Sequence, residues 1–342
     1  MNFINKFNIS KDEVLNSLNF IKFSDAVFAA SMPISDFNKM YKLNEVYIIS
    51  KTTFEIVFIK KEICIKEGSL IFCNTDFIPL LFKCLSKIEG LKNINILSGQ
   101  SDSKVSSKLY NKKPDCVSKW YAVNANIIRK NLVSIPLGIA NQSYEKNIVY
   151  KDFEAYKNVV VEKEEKLYIN FNLNTNYFHR LKASKLSNFK NSYVEYDKSS
   201  KRYLYSIHKY KYVLCPWGNG YETHRFWETL YSGSIPVTKA NNIYKQFNQF
   251  PIILLNKYNL KELINKINKH KFTNFNPEVL KTSWWFKNII DNSKVGDKKF
   301  DLIIDEESFN IFNSYYKNKI RRIGYLKKIN TFIRKFYSKL CS

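Results

Sequence analysis

The chain has 342 residues, of which 45% are hydrophobic and 16% aromatic. That excludes a disordered polymer and allows a large core, commonly split between two domains. The formal charge is +25, yet only seven of the 55 basic residues are arginine and lysine is spread throughout, so the charge describes general attraction to anions more than a site.

Every 18-residue stretch carries charge, which argues against a spanning helix. The start, Met1-Asn-Phe-Ile-Asn-Lys6, lacks the layout of a signal peptide, and a cytoplasmic protein is expected. Six cysteines, at 64, 73, 84, 116, 215 and 341, show no paired spacing, so free thiols are expected rather than disulfides or zinc.

Apolar runs at 26–30, 46–49, 69–73, 94–97 and 132–137 alternate with polar or amphipathic stretches. This is the pattern of an α/β fold with a mostly parallel sheet. Ligands of such sheets sit beyond the carboxyl ends of the strands, and here those ends are polar: Asn74-Thr75-Asp76, Gly99-Gln100-Ser101-Asp102 and Gly138. Local turn capping is the ordinary role of each Asn or Asp. Residues 150–166, with the cluster Glu162-Lys-Glu-Glu-Lys166, look like a linker. Five more strands follow, at 167–171, 193–196, 212–215, 234–238 and 252–255, with a helix at 260–270. The expected units are residues 1–155, 156–300 and a tail of 301–342.

The densest stretch is Cys215 to Thr238, CPWGNGYETHRFWETLYSGSIPVT. The run 212–215 reads as a buried strand, broken by Pro216, Gly218 and Gly220 into a loop whose N–H groups can approach a ligand. A helix follows and is stopped by Gly233. At about 100° per residue, His224, Arg225 and Glu228 share one face and Phe226, Trp227 and Leu230 the other. A helix N-terminus favours an anion, so a diphosphate there would gain from the dipole, from Arg225 and from His224, while Glu228 would accept from ribose hydroxyls. The bland alternative is an ordinary Arg225–Glu228 surface pair beside a glycine turn.

This segment resembles the donor site of exostosin-like glycosyltransferases, in which a strand and Gly-rich loop lead into an Arg-Phe-x-Glu-Ala-Leu helix and then Ile-Pro-Val. Arg225, Phe226, Glu228 and Leu230 match, with Thr229 in place of Ala. It is also similar to the Thr-Glu-Lys-Phe-Trp-x-Ala-Leu pattern of alpha-1,3-fucosyltransferases through Thr223, Phe226 and Trp227, with His224 and Arg225 standing where Glu and Lys occur. Looser likeness runs through residues 71–76, 98–102, 119–124, 135–139 and 168–172 with Arg180, and through Trp284-Trp285. The resemblance implies a GT-B architecture, two Rossmann-like domains facing each other across a cleft, and a nucleotide-sugar donor. It implies Arg225 near the phosphates and Glu228 near the ribose; the strand end and loop add Arg180 beside the diphosphate and Asn172, Gly218, Asn219, Gly220, Tyr221, Thr223 and His224 as the other expected donor contacts.

Such a transferase must stabilise a departing nucleotide phosphate and activate an acceptor hydroxyl. Arg180, Arg225, the loop amides and the helix start suit the first task. No Asp-x-Asp signature is present, so a metal-independent reaction with no cofactor is expected. For the base of an inverting reaction Asp102 is the first choice and Asp76 the second, because both follow strand ends facing the expected cleft. A retaining course needs no such base.

Beyond Glu307 the tail has nine basic residues and no acidic one, with Ile320, Ile323, Leu326, Ile329, Ile333, Phe336 and Leu340 at helical spacing. A basic amphipathic helix is expected, either packed back on the N-terminal domain or holding the chain on an anionic membrane that carries a glycan or glycolipid acceptor; Gly324 marks a candidate bend. Two rival readings remain: a basic nucleic-acid binder, against which stands the lack of any recognised motif, and a silent sugar-binding homologue.

Overall fold

A computed structural model of the chain describes residues 3–141, 147–156, 159, 161–196, 199–270, 275–290 and 296–340, the backbone alone at 323 and 325–340. The strands in chain order are β1 (Ala26–Pro33), β2 (Val46–Lys51), β3 (Glu55–Lys60), β4 (Glu62–Lys66), β5 (Leu70–Asn74), β6 (Ile94–Gly99), β7 (Val117–Ala122) and β8 (Leu132–Ser134). They continue with β9 (Glu164–Ile169), β10 (Ser192–Val194), β11 (Tyr210–Leu214), β12 (Ile235–Lys239), β13 (Ile253–Leu255) and β14 (Lys299–Ile303). The fold is mixed α/β with parallel-rich sheets.

The first sheet has seven strands in the order β2-β3-β1-β5-β6-β7-β8. Pairing is parallel from β1 through β8, but β2 and β3 add an antiparallel arm. Inner strands β5 and β6 are buried at every position, as strands covered on both faces must be. The mostly parallel expectation therefore needs this correction: in Glu55 to Lys60 the alternation of half-buried and buried positions breaks at Phe58 and Ile59, both buried, and flanking charges dilute the period-2 signal further. Strands β4 and β14 form a separate antiparallel ribbon, so the chain crosses back to the first sheet's side at Lys299.

The second sheet is parallel throughout, in the order β10-β9-β11-β12-β13. Its strand order reverses between β9 and β11, the kind of switch point where loops part and leave a crevice at the carboxyl ends. One apolar cluster, from Val27, Phe72 and Tyr121 to Tyr168, Phe226 and Trp285, lies between the two sheets. Two further clusters cover the outer faces, one over the first sheet and one over the second.

Residues 150–166 are more than a linker. A short helix at Tyr150–Glu154 buries Phe153, and Lys163 Nζ donates to the His208 carbonyl (2.9 Å), the Ser232 carbonyl (3.2 Å) and Ser234 Oγ (2.7 Å). Residues 157, 158 and 160 of that stretch lie outside the described set.

The C-terminal helix, Glu306–Leu340, runs through Gly324 without a break. Its first turns pack on the first sheet's side: Phe309 stacks on Tyr47 at 4.2 Å between ring centroids, and Phe312 and Tyr316 meet Phe77 at 5.5 and 5.1 Å. The side chains of Ile323, Leu326, Ile329, Ile333, Phe336 and Leu340 lie outside the described set. Among the described residues no helix is long and apolar enough to cross a membrane.

Candidate active site

A cavity of about 540 Å³ opens between the carboxyl ends of the two sheets. The first sheet supplies Asn74, Asp76, Gln100 and Asp102; the second half supplies Arg180, Gly218, Asn219, Glu222, Thr223 and His224. Its floor is apolar, with Phe72, Leu97, Val123 and Ile135. Of the residues expected at the donor site, Asn172, Gly220, Tyr221, Arg225 and Glu228 do not line it.

The glycine loop follows β11 at the switch point. Asn124, itself in the left-handed region at φ 59°, reaches across from the first half to hold it: Asn124 Oδ1 accepts the N–H groups of Tyr221 (2.9 Å) and Glu222 (3.1 Å). A Cβ on Gly220 would lie 2.7 Å from Asn124 Nδ2, so the close approach requires glycine. Asn219 Nδ2 donates to Asp102 Oδ2 (3.1 Å), closing a second bridge between the halves. Tyr221 stays half-buried under Lys104, whose Nζ is 4.3 Å from the ring centroid.

Helix His224–Tyr231 begins at Thr223 and buries Phe226, Trp227, Leu230 and Tyr231 completely. It ends as expected at Gly233, φ 75°, where the N–H groups of Gly233 and Ser234 turn back to the carbonyls of Leu230 and Thr229. Thr223 occupies the N-cap position, yet its hydroxyl makes no capping bond and is buried without a partner. His224 Nδ1 lies 2.7 Å from the Gly138 carbonyl and donates to it. Gly138, φ 71°, cannot be replaced there, because a Cβ would sit 1.9 Å from the Leu15 carbonyl oxygen.

Arg180 is only 7% exposed. Its Nε donates to the Trp217 carbonyl (3.0 Å) and its Nη1 to the Asn172 carbonyl (2.6 Å), so two nitrogens brace the loops after β9 and β11. Burial, and then repulsion from Arg225, bring its pKa down to about 10. Among the described residues neither guanidinium forms a salt bridge. Arg225 stacks over Tyr203, with 4.7 Å from Cζ to the ring centroid, and its Nη1 is buried without a partner. Glu228 sits one turn further in, buried, with Oε2 accepting from Tyr203 Oη at 2.7 Å. Burial raises its pKa, although His224, Tyr203 and Arg225 oppose that. Asn172 is exposed and caps its own turn by accepting the Asn174 N–H (2.8 Å).

The two expected bases differ sharply. Asp76 Oδ1 accepts from Ser103 Oγ (2.6 Å) and Lys319 Nζ (2.7 Å), and Oδ2 accepts from Ser101 Oγ (2.8 Å). Burial favours its neutral form, but the bonds from Lys319, Ser103 and Ser101 outweigh that and hold it below the usual carboxylate range. Asp102 is exposed at the mouth. Sequence reasoning missed Glu222, which lines the cavity at 3% exposure. Its Oε2 accepts the Leu137 N–H and Trp227 Nε1–H, both at 3.1 Å, while Oε1 is buried without a partner. Burial pushes its pKa up to about 8. A lone Glu in a loop gives no periodic signal; its position after Gly-Asn-Gly-Tyr was the only available cue.

Among the described residues, no group of three or more His, Cys, Asp and Glu side chains is arranged to hold a metal ion. No protein-family model matches the chain, and no curated protein matches it.

Proposed function

We propose that the chain is a GT-B glycosyltransferase that moves a sugar from a nucleotide-sugar donor to a hydroxyl of a surface-glycan acceptor without a metal. The observation that carries this reading is the pair Arg180 and Arg225 at the switch point of the second sheet. The charge of Arg225 bears on the buried Arg180, and Arg225 Nη1 is left without a partner. An anion at Arg180 on the cavity wall offsets the repulsion, and a diphosphate that reaches behind the wall to Arg225 supplies the missing acceptor. The neighbouring helix start, with its uncapped Thr223, adds positive potential on the same side. Trp217 stands in the adjoining loop with His179 stacked on it at 4.4 Å, an aromatic surface beside the arginines.

In this reading the departing nucleoside diphosphate stays against Arg180 and Arg225 as its charge grows. The acceptor enters over the polar strand ends of the first sheet, where Asp102 and Gln100 line the wall. Glu228 holds Tyr203 under Arg225 and so positions the guanidinium rather than meeting ribose directly. The exposed Arg321 and Arg322, past Lys319, begin the basic stretch assigned to an anionic membrane surface.

Nucleoside diphosphates and their sugars are screened by the shift each causes in melting temperature, then titrated against wild type and Arg225→Ala. A charge-assisted bond of this class contributes about 1.5–3 kcal/mol, so Arg225→Ala should weaken diphosphate binding on the order of 10- to 100-fold. Absence of binding by every uridine, guanosine, adenosine and cytidine diphosphate would sink the proposal. Binding of oligonucleotides instead, with a steep salt dependence, would favour the nucleic-acid reading.

A further inference from the structure

We propose that Glu222 is the base that takes the proton from the acceptor hydroxyl in this cavity, a role that rests on the transferase reading above. Three observations single it out. Its Oε2 is fixed from both sides of the crevice, by the Leu137 N–H of the first half and the Trp227 indole of the second. That leaves one orientation for the carboxyl plane. Its Oε1 is buried with no partner although the residue lines the cavity, and an orphaned carboxylate oxygen at a cavity wall is a group awaiting a donor from the ligand. Finally, the alternatives are occupied: Asp76 accepts three bonds including one from Lys319, and Asp102 is exposed and bound to Asn219.

The surroundings set the proton affinity of Glu222. Tyr244 faces it from the helix Asn242–Gln246 and His224 follows it on its own strand of chain, while Glu55, Asp76, Asp102 and Arg180 stand on the walls of the same space. None of these forms a salt bridge with it. Burial therefore prevails, and a carboxyl with a pKa of about 8 is a far stronger base than an ordinary glutamate. In the reaction the acceptor O–H bond breaks and its proton passes to Oε1. The freed oxygen pair forms the bond to the anomeric carbon, and the bond from that carbon to the donor phosphate breaks with its pair leaving on the phosphate, beside the two arginines.

The test compares wild type with Glu222→Gln and Glu222→Asp. Glutamine can keep the two bonds at Oε2 through its carbonyl but cannot accept a proton. With uridine and guanosine diphosphate sugars as probes, the glutamine variant should bind within about threefold of wild type while release of nucleoside diphosphate falls about 100-fold or more. The wild-type rate should climb with pH toward a plateau above about 8, and the glutamine variant should lose that limb. In substrate-free protein, an infrared carboxyl band that fades through the same pH range should be missing from the glutamine variant. If glutamine prevents folding, the aspartate variant decides: a retained but slower, still pH-dependent release supports the role, and an unchanged rate removes it. Unaltered turnover in Glu222→Gln with intact donor binding overturns the base alone; no donor binding by wild type overturns the transferase reading and this inference with it.

Discussion

The two walls of the cavity are built on opposite principles. On the first-sheet wall the buried polar groups close on one another. Gln100 ties Ser31 through its backbone N–H and carbonyl (both 2.7 Å) and reaches Ser17, Asn74 spans the Gln100 carbonyl and the Asp76 N–H, and Asp76 is filled by Ser101, Ser103 and Lys319. At the opposite wall Glu222 and Thr223 each keep a buried polar atom without a partner, and so does Arg225 just behind them. Unpaired buried groups cost stability, so the contrast separates a wall that holds the fold from a wall that is left open for a ligand.

If that division is right, substitutions on the first wall should move stability and those on the second should move ligand affinity. The largest effect falls at Gly138. Alanine there must adopt a left-handed backbone and place a methyl 1.9 Å from the Leu15 carbonyl oxygen. Gly138→Ala should cost on the order of 3 kcal/mol in urea unfolding or fail to fold. Next comes Arg225→Ala, whose loss of diphosphate affinity should come with a stability change within about 1 kcal/mol, since the lost stacking on Tyr203 is offset by relief of Arg180. An equal collapse of stability and affinity in that variant would erase the distinction between the walls.

Glu222→Gln sharpens it through pH. The folded pKa of Glu222 is raised from 4.5 to about 8, so the contribution of its proton to stability is complete below 4.5 and lost as pH rises through 8. Wild type should therefore lose stability relative to the glutamine variant between those limits, with a slope of up to about 1.4 kcal/mol per pH unit. Parallel stability curves for the two proteins would show that Glu222 is not held neutral.

Much of the second sheet was legible from the chain because its strands are short and carry apolar runs bounded by polar residues. The runs at 167–171, 212–215, 234–238 and 252–255 correspond to β9, β11, β12 and β13, and Gly233 ends the helix as its position foretold. The apolar runs missed β3 and β7 of the first sheet and the ribbon strands β4 and β14, the last two because they alternate exposed and buried positions instead of forming an apolar run. Site residues near one another in sequence were similarly accessible. What sequence could not provide is which groups pair across the molecule: that Lys319 would occupy Asp76 over 243 positions, or that Leu137 and Trp227 would leave Glu222 one free oxygen. Helical periodicity placed Glu228 on the same face as Arg225, but depth in the fold, set by Tyr203, decides that it faces protein.

The smallest expected effect concerns the seam between the first wall and the C-terminal helix. Lys319 is one-third exposed and Asp76 less so, with side-chain exposures of 33% and 16%, which limits the pair to about 0.5–1 kcal/mol at neutral pH. Because Asp76 is held below its usual pKa of 3.8, the stabilisation is present above that value and lost as pH falls through the lowered one. Lys319→Ala should therefore be less stable than wild type at pH 7 and converge with it in acid. The Ser101 and Ser103 bonds remain in the variant, so Asp76 should stay ionised and the cavity wall should keep its shape. Diphosphate affinity should be unchanged, which is what distinguishes a residue that fastens a helix to the fold from one that meets the ligand. A loss of affinity in Lys319→Ala equal to that in Arg225→Ala would mean that the helix, through Tyr316 on the cavity wall, takes part in ligand binding and that the two walls are not independent.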